Sequence, residues 1–366
     1  MRPDFWSGKR VLVTGHTGFK GSWLSLCLQR FGAEVAGYAH PPSTVPSLFE
    51  GARVAEGMAS MLGDVRDLES LRRCLREQRP EIVLHLAGQP IVRRSYRDPI
   101  ETFSTNVMGT ASVLEAVRHT PSVAAVVIVT SDKCYENREW VWGYREVERL
   151  GGSDPYSASK ACAELVATAY TRSFFSGEEG PCVATARAGN VIGGGDWSED
   201  RLIPDMIRAL LAGRPVSVRN PGATRPWQHV LDPLSGYLTL AERLYENDRT
   251  ACEAWNFGPH RRDPQPVIAI VEMLGALWGR EASWEVVTAA KPHEDCLLQL
   301  DCSKAHARLG WKCELSLETT LSWIVSWHRA AAAGADQRRL CERQIDSFFG
   351  TGHCLPPNPV YLDAPA

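Results

Sequence analysis

Ser131, Asp132 and Lys133 stand in a row, and Tyr156 and Lys160 follow after a short loop at Tyr-x-x-x-Lys spacing. A hydroxyl, a carboxylate and an ammonium side by side can hold an oxygen, donate a proton to it and stabilise the charge that develops. Tyr156 and Lys160 are one helical turn apart, so both side chains lie on one face at the start of a helix. A cationic lysine beside a phenol draws the phenol pKa down from about 10, so Tyr156 can act as a base on a hydroxyl.

A second set lies near the N-terminus. The stretch "VLVTGHTGFKGSWLSLCL" puts Gly15, Gly18 and Gly21 at G-x-x-G-x-x-G spacing, with Thr17 and Phe19 inside the loop, directly after an apolar strand and at the start of an amphipathic helix. Glycines there let backbone approach a pyrophosphate resting on a helix N-terminus. Asp64 and Val65 of "GDVRD" sit where an adenine could be clamped, Leu86 and Ala87 lead into a small-residue turn at Gly88, and Asn106 falls inside a helix. With Tyr156 and Lys160 these make the candidate cofactor site, and an oxidised nicotinamide would add its charge to that of Lys160. The ribose-binding acid expected about 20 residues past the glycines is missing, for the second strand runs into His40. Local chemistry leaves NAD and NADP open; no arginine replaces the acid, which favours NAD.

The elements that must position these groups follow from periodicity. Apolar runs at 10–15, 34–39, 82–88, 124–131 and 182–191 alternate with helical patterns near 21–31, 67–78, 100–118 and 156–176. Strand–helix repetition with near-continuous apolar strands predicts an α/β fold, a Rossmann-type doubly wound parallel sheet covered on both faces. Beyond Asn190 the chain turns Gly- and Pro-rich, which suits a smaller, loop-rich C-terminal substrate-binding lobe. The expected division is 1–190 for the NAD-binding half, with a returning segment near 225–250, then 191–350 for the substrate lobe and 351–366 as an irregular tail. The whole stretch after about Gly334 reads as irregular.

A chain of 366 residues, 44% hydrophobic and 23% charged, can bury a full-sized cleft. Its net charge of -3 and scattered basic residues give no footprint for nucleic acid or an anionic membrane. The longest apolar stretch, Val123 to Val129, is far below the roughly 18 residues of a membrane span, and no signal-peptide core is evident, so a cytoplasmic protein is expected. Eleven cysteines lie dispersed, without a C-x-x-C pair or zinc spacing, and read as buried thiols with no metal.

The glycine motif, Thr130-Ser131-Asp132, Y-x-x-x-K and "RAGNVIGGGD" together resemble the extended short-chain dehydrogenases/reductases of the nucleotide-sugar-modifying kind, over nearly the whole chain to about residue 330. "GHTGFKGSWLSL", "TSDKCYENREWVWGYRE", "DPYSASK", "AGNVIGGGDW" and "RPWQHVL" narrow the likeness to the CDP-glucose 4,6-dehydratase branch. That resemblance implies an oxidation, elimination and re-reduction on one sugar ring with tightly held NAD: Tyr156 takes the 4-hydroxyl proton, Ser131 (or Thr130) holds that oxygen, and Asp132 protonates the departing 6-hydroxyl. In related dTDP-glucose dehydratases a Glu follows the Asp as the C5 base, where this chain has Lys133. A lysine is a base only if its pKa falls from about 10.4 toward 7 to 8, so Lys133 is read as base or as electrostatic stabiliser of the C4 enolate. The implied substrate contacts are Asn190, Arg201, Arg219 and Arg225, with Arg225 preferred for the diphosphate, and His293 or Glu294 in a segment closing over the nucleotide. Trp140 or Trp142 shapes the sugar pocket or the core. Cytosine recognition rests on the resemblance alone. The same likeness implies a homodimer, possibly a dimer of dimers, joined through helices near 100–118 and 156–176 as a four-helix bundle. The product would serve deoxysugar synthesis for a surface polysaccharide such as lipopolysaccharide. A nucleotide-sugar 4-epimerase of the same fold and a non-catalytic NAD-sensing protein are the competing readings.

Overall fold

The protein is described from a computed structural model covering residues 1–177, 180–259, 265–279, 283–286 and 297–351. Seven strands form one parallel sheet: β1 (Arg10–Thr14), β2 (Glu34–Ala39), β3 (Ala59–Leu62), β4 (Ile82–His85), β5 (Ala125–Val129), β6 (Cys182–Ala188) and β7 (Ala254–Phe257), in the order β7-β6-β5-β4-β1-β2-β3. The order reverses between β1 and β4, where Thr14 lies in register with His85 on one side and Tyr38 on the other. In such sheets ligands bind outside the carboxyl ends of the strands at that switch point.

The alternation of side chains along each strand divides the core between two faces. Val11, Val13, Ile82, Leu84 and Val127 pack with Trp23 and Leu24 of α1 (Phe19–Arg30) on one face. Leu12, Val83, Val126 and Ile128 pack on the other face against Leu71 and Leu75 of α2 (Leu68–Gln78) and Val113 and Leu114 of α3 (Gly109–Arg118). Helix α4 (Pro155–Phe174) lies beside α3, adding Ala167 to that layer. Burying one such aliphatic side chain is worth about 1.5–3 kcal/mol, so the strands need polar character only at their ends.

Downstream of β6, α5 (Leu202–Leu211), α7 (Val267–Trp278) and α8 (Leu317–Ala332) build a separate cluster through Met206, Ile270, Leu274 and Leu321. Between them α6 (Leu231–Tyr245) returns to the sheet with Leu234 and Leu238. No described helix is long and apolar enough to cross a membrane.

Two elements differ from the sequence reading. The stretch after Gly334, expected to be irregular, contains α9 (Gln337–Phe349). Asp336 caps it by accepting from Arg339 N, and Leu340, Cys341 and Ile345 bury against the α1 face of the sheet. The stripe is narrow and its flanks are charged, which hides the helix in composition. In addition, the stretch expected as one helix near 100–118 consists of Pro99–Phe103, a wider π-helical turn at Ser104–Met108, and α3.

One buried carboxyl ties the two regions together. Asp232, at the start of α6, accepts from Glu314 N at 2.7 Å, while its other oxygen is buried without a hydrogen-bond partner among the described residues. Burial pushes its pKa up to about 7. In the unfolded chain it ionises near pH 4, so its contribution to stability is present below that value and is lost as pH rises toward 7. Asp232→Asn keeps the acceptor and removes the ionisation. The melting temperature of that variant relative to the natural protein is therefore expected to be more favourable at pH 8 than at pH 4, as read by differential scanning calorimetry.

Candidate active site

The first side of the cleft is the turn between β1 and α1. Gly15 has a φ of +79°, and a Cβ there would stand 2.7 Å from Ala87 N, so the turn closes against the β4 strand end only as glycine. A Cβ on Gly21 would collide with the Gly15 carbonyl, which fixes α1 against its own loop. Thr17 donates to the His40 carbonyl at 2.7 Å, and Gly18 precedes Phe19 as the uncapped N-terminal residue of α1. Leu86 N donates to the Thr14 carbonyl at 3.1 Å, and Ala87 N to the Thr14 hydroxyl at 3.3 Å, carrying the β1 register on past the strand ends.

Asp64 and Val65, expected to clamp an adenine, follow β3 and are held in different ways. Asp64 bonds Arg66 at 2.5 Å and faces His40 Nε2 at 3.1 Å, and the Arg66 guanidinium holds its carboxyl well below the usual range. Val65 is buried and would meet a Cβ on Gly109 at 2.8 Å.

The opposite side is carried by β5, β6 and α4. Asp154 caps α4 by accepting from Ser157 N, which starts the helix one residue before Tyr156. Lys160 Nζ reaches the Val129 carbonyl at 3.4 Å, at the end of β5. Asn106, buried in the π-helical turn, accepts from Gln89 N at 2.8 Å and donates to Ser159 Oγ at 2.8 Å, so it joins the β4 loop to the tyrosine–lysine helix. A Cβ on Gly88 would lie 3.4 Å from Lys160 Nζ, placing that ammonium against the glycine turn.

Ser131 and Asp132 emerge from β5 into a turn of 3-10 helix at Asp132–Cys134. Ser131 Oγ donates to Asp132 Oδ1 at 3.0 Å, and the Ser131 hydroxyl lies near enough to the Tyr156 phenol to favour its ionised form. Gly189, just past β6, leaves room for the acid: a Cβ there would stand 2.9 Å from Asp132 Oδ2 and 2.7 Å from Pro226. Burial dominates the proton affinities. It pushes the Asp132 carboxyl up, the Tyr156 phenol up to about 12 and the Lys160 ammonium down to about 8. Lys133 is partly exposed beside them.

The expected substrate residues scatter more widely. Asn190 follows β6 and its carbonyl accepts from Gln228 N at 3.1 Å. Arg225 touches its neighbour's carbonyl at 3.3 Å, and its charge is felt by Asp132. Arg201 instead pairs with Asp196 at 3.3 Å, and Arg219 with Asp200 at 3.0 Å and Asp205 at 3.4 Å. His293 and Glu294 lie outside the described residues. Trp140 stacks on Tyr144 with ring centroids 5.3 Å apart, whereas Trp142 is exposed. Thr130 is taken up elsewhere, donating to the buried Glu164 carboxylate.

Sequence reasoning passed over Lys20. Its position inside the glycine motif is the signal that could have found it. Its ammonium makes no ion pair or hydrogen bond among the described residues, and burial together with Arg201 and Lys160 lowers its pKa to about 7. Asp132 and Asp196 oppose that shift.

A glycine turn facing a Tyr-x-x-x-Lys pair across the switch point of a seven-stranded parallel sheet defines a Rossmann-type short-chain dehydrogenase/reductase. The model of the GDP-mannose 4,6 dehydratase family matches residues 12–323, and the chain belongs to that family. It is 54% identical over 350 residues to the CDP-glucose 4,6-dehydratase of Salmonella typhimurium, covering 94% of this chain and 98% of that protein. The dTDP-glucose 4,6-dehydratase of Streptomyces griseus is 30% identical over 87% of this chain and 93% of its own length. Among solved structures, a Streptomyces venezuelae dTDP-glucose 4,6-dehydratase double mutant with NAD bound superposes with a TM-score of 0.75 at 25% identity, over 90% of this chain and 99% of that one. A Thermus thermophilus UDP-glucose 4-epimerase complex with NAD gives 0.77 at 25% identity, over 88% and 99%.

Lys20 yields a test of the charge in this cleft. A lysine whose folded pKa lies below its unfolded value destabilises the fold once both states are protonated, and the penalty fades as pH rises from about 7 toward the unfolded value near 10.4. Lys20→Met is expected to raise the melting temperature of the ligand-free protein, and more at pH 6 than at pH 10.

Proposed function

We propose that the protein is an NAD-dependent hydro-lyase that converts CDP-glucose to CDP-4-dehydro-6-deoxyglucose and water. The observation that carries this reading is a buried acid, Asp132, bonded to Ser131 and near enough to Tyr156 to act on its phenol, in a chain 54% identical to a CDP-glucose 4,6-dehydratase. The turn at Gly15, Gly18 and Gly21 fits NAD, because it brings bare backbone to a helix N-terminus beside Lys20, a cation without an ion pair among the described residues. Held there, NAD would supply a hydride acceptor for C4 of the hexose, a hydride donor for C6 and a positive ring that lowers the Tyr156 phenol.

The remaining work falls to the chain. Ser131 holds the 4-hydroxyl oxygen and Tyr156 takes its proton, with Lys160 stabilising the phenolate. The C4 ketone then acidifies the proton on C5, and Lys133 assists its loss, as base or as stabiliser of the enolate. Asp132, whose proton affinity burial raises, gives its proton to the 6-hydroxyl so that water and not hydroxide departs. A 4-epimerase expels nothing and has no use for that acid.

The segment 191–350 holds the nucleotide sugar and 1–190 holds the cofactor, with residues near 225–250 returning to that half. Arg225 takes the diphosphate, and Arg201, Arg219, Asn190 and His293 are its candidate partners in binding the nucleotide sugar. Arg201 and Arg219 must then exchange an aspartate for phosphate. Two chains pair through α3, α4 and the helical turns before α3, where Ile100, Met108 and Leu165 stand exposed. The enzyme works in the cytoplasm.

Incubation with CDP-, UDP- and dTDP-glucose in deuterated water without added NAD, followed by mass spectrometry and proton NMR, tests the reading. Expected is a product from the CDP sugar that is lighter by one water and carries deuterium at C5. Unchanged mass with inverted C4 identifies an epimerase, and no reaction even with NAD supplied removes the catalytic reading. In Lys133→Ala, exchange at C5 is expected to slow; exchange at the natural rate takes Lys133 out of the C5 step.

A further inference from the structure

The catalytic groups stand on three separate elements: β5 leads into Ser131 and Asp132, α4 carries Tyr156 and Lys160, and β6 leads to Gly189. One side chain on α4 bonds to the other two. Glu164 lies on α4 one helical turn beyond Lys160 and is buried. One carboxylate oxygen accepts from the Thr130 hydroxyl, in the residue just before Ser131. The other accepts from Thr185 Oγ1 at 2.7 Å and from Arg187 Nη2 at 2.7 Å, both on β6.

Arg187 extends the anchor outward. It donates to the Tyr135 hydroxyl at 2.8 Å and to the Glu146 carbonyl at 3.1 Å, and Tyr135 donates to Asn256 Oδ1 at 2.7 Å. The Glu164–Arg187 pair is sealed from water, with side-chain exposures of 2% and 4%. Such a pair adds little net stability over apolar packing, so its retention calls for another role.

We infer that Glu164 is a positioning residue of this site: its carboxylate locks the strand end bearing Ser131 and Asp132 to the helix bearing Tyr156 and Lys160, and supplies the counter-charge of the Lys160 ammonium. Lys160 is faced from its own helix by Glu164, from the turn after β5 by Cys134, from β4 by His85 and from α1 by Lys20. Of these, Glu164 alone is a carboxylate. The Cys134 thiol is pushed up and His85 down to about 3, so both are neutral near pH 8, and Lys20 repels. Burial lowers the Lys160 pKa and Glu164 opposes that shift. Without the carboxylate, the ammonium that must stay charged beside the phenol loses its proton at a lower pH.

The direct test is carbon-13 NMR of lysine Cε in protein labelled at its seven lysines, with Lys160 assigned through Lys160→Arg. In Glu164→Gln, which keeps the side chain's shape, the Lys160 titration is expected to move down by about one pH unit or more, in line with loss of a nearby opposite charge. An unmoved titration overturns the inference. The kinetic readout rests on the dehydratase reading: the alkaline limb of kcat/KM should shift by the same amount, whereas a uniform loss at every pH would mark a merely structural residue. Glu164→Asp keeps the charge while shortening the reach, so its limb should stay in place while kcat falls at least tenfold; natural kcat in that variant also overturns the inference, even if Glu164→Gln does not fold. A natural protein inactive on every sugar nucleotide sinks the dehydratase reading and leaves the NMR result to stand by itself.

Discussion

Water is largely excluded where β1, β4, β5 and β6 end, and that exclusion governs the proton affinity of three side chains there. A buried carboxyl prefers to hold its proton, a buried ammonium prefers to lose one, and a buried phenol resists ionising. Asp132, Lys160 and Tyr156 depart from their ordinary values in these three directions, with burial the largest cause for each. The ligand-free cleft therefore disfavours charge on all three, and an added positive charge would act on them in opposite senses, favouring the ionised carboxyl and phenol and disfavouring the ammonium.

The sheet makes such burial possible without making the chemistry. Solved structures of epimerases and dehydratases superpose on this chain with closely similar TM-scores, 0.77 and 0.75 in the two described above. In this chain the architecture brings a glycine turn and a tyrosine–lysine helix to one crevice. Since one fold carries proteins of both names, the choice between their chemistries rests on side chains set upon the sheet and not on the sheet itself.

Much of this was legible in the sequence because it depends on local pattern. The runs that became β1, β2, β4, β5 and β6 are apolar enough to be read as strands buried on both faces, and the glycine spacing announces its turn. By contrast β3 is a short edge strand, "ASML", with three of its four residues exposed, and it carries no comparable signal. β7 reads "AWNF" and takes its place only by pairing with β6 across more than sixty intervening residues. Among the site residues, Lys20 was hidden by attention to the glycines around it. Glu164 drew no reading at all, because a sequence does not reveal which carboxylate will meet an arginine on another strand. Arg201 and Arg219 were legible as cations but not as partners of Asp196 and Asp200, since such pairing is decided by tertiary placement.

Helix α9 closes over the first strand–helix unit of the sheet. Arg30 at the end of α1 pairs with Asp346 at 2.7 Å, Phe31 meets the ring of Phe349 edge-on at 5.1 Å, and Arg53 pairs with Asp336 at 2.8 Å. These contacts join segments very far apart in sequence, the kind that form late because loop closure must precede their reward. The flank of α1 is therefore completed by a helix from the far end of the described chain, and whatever loosens α9 uncovers part of the layer that backs the glycine turn.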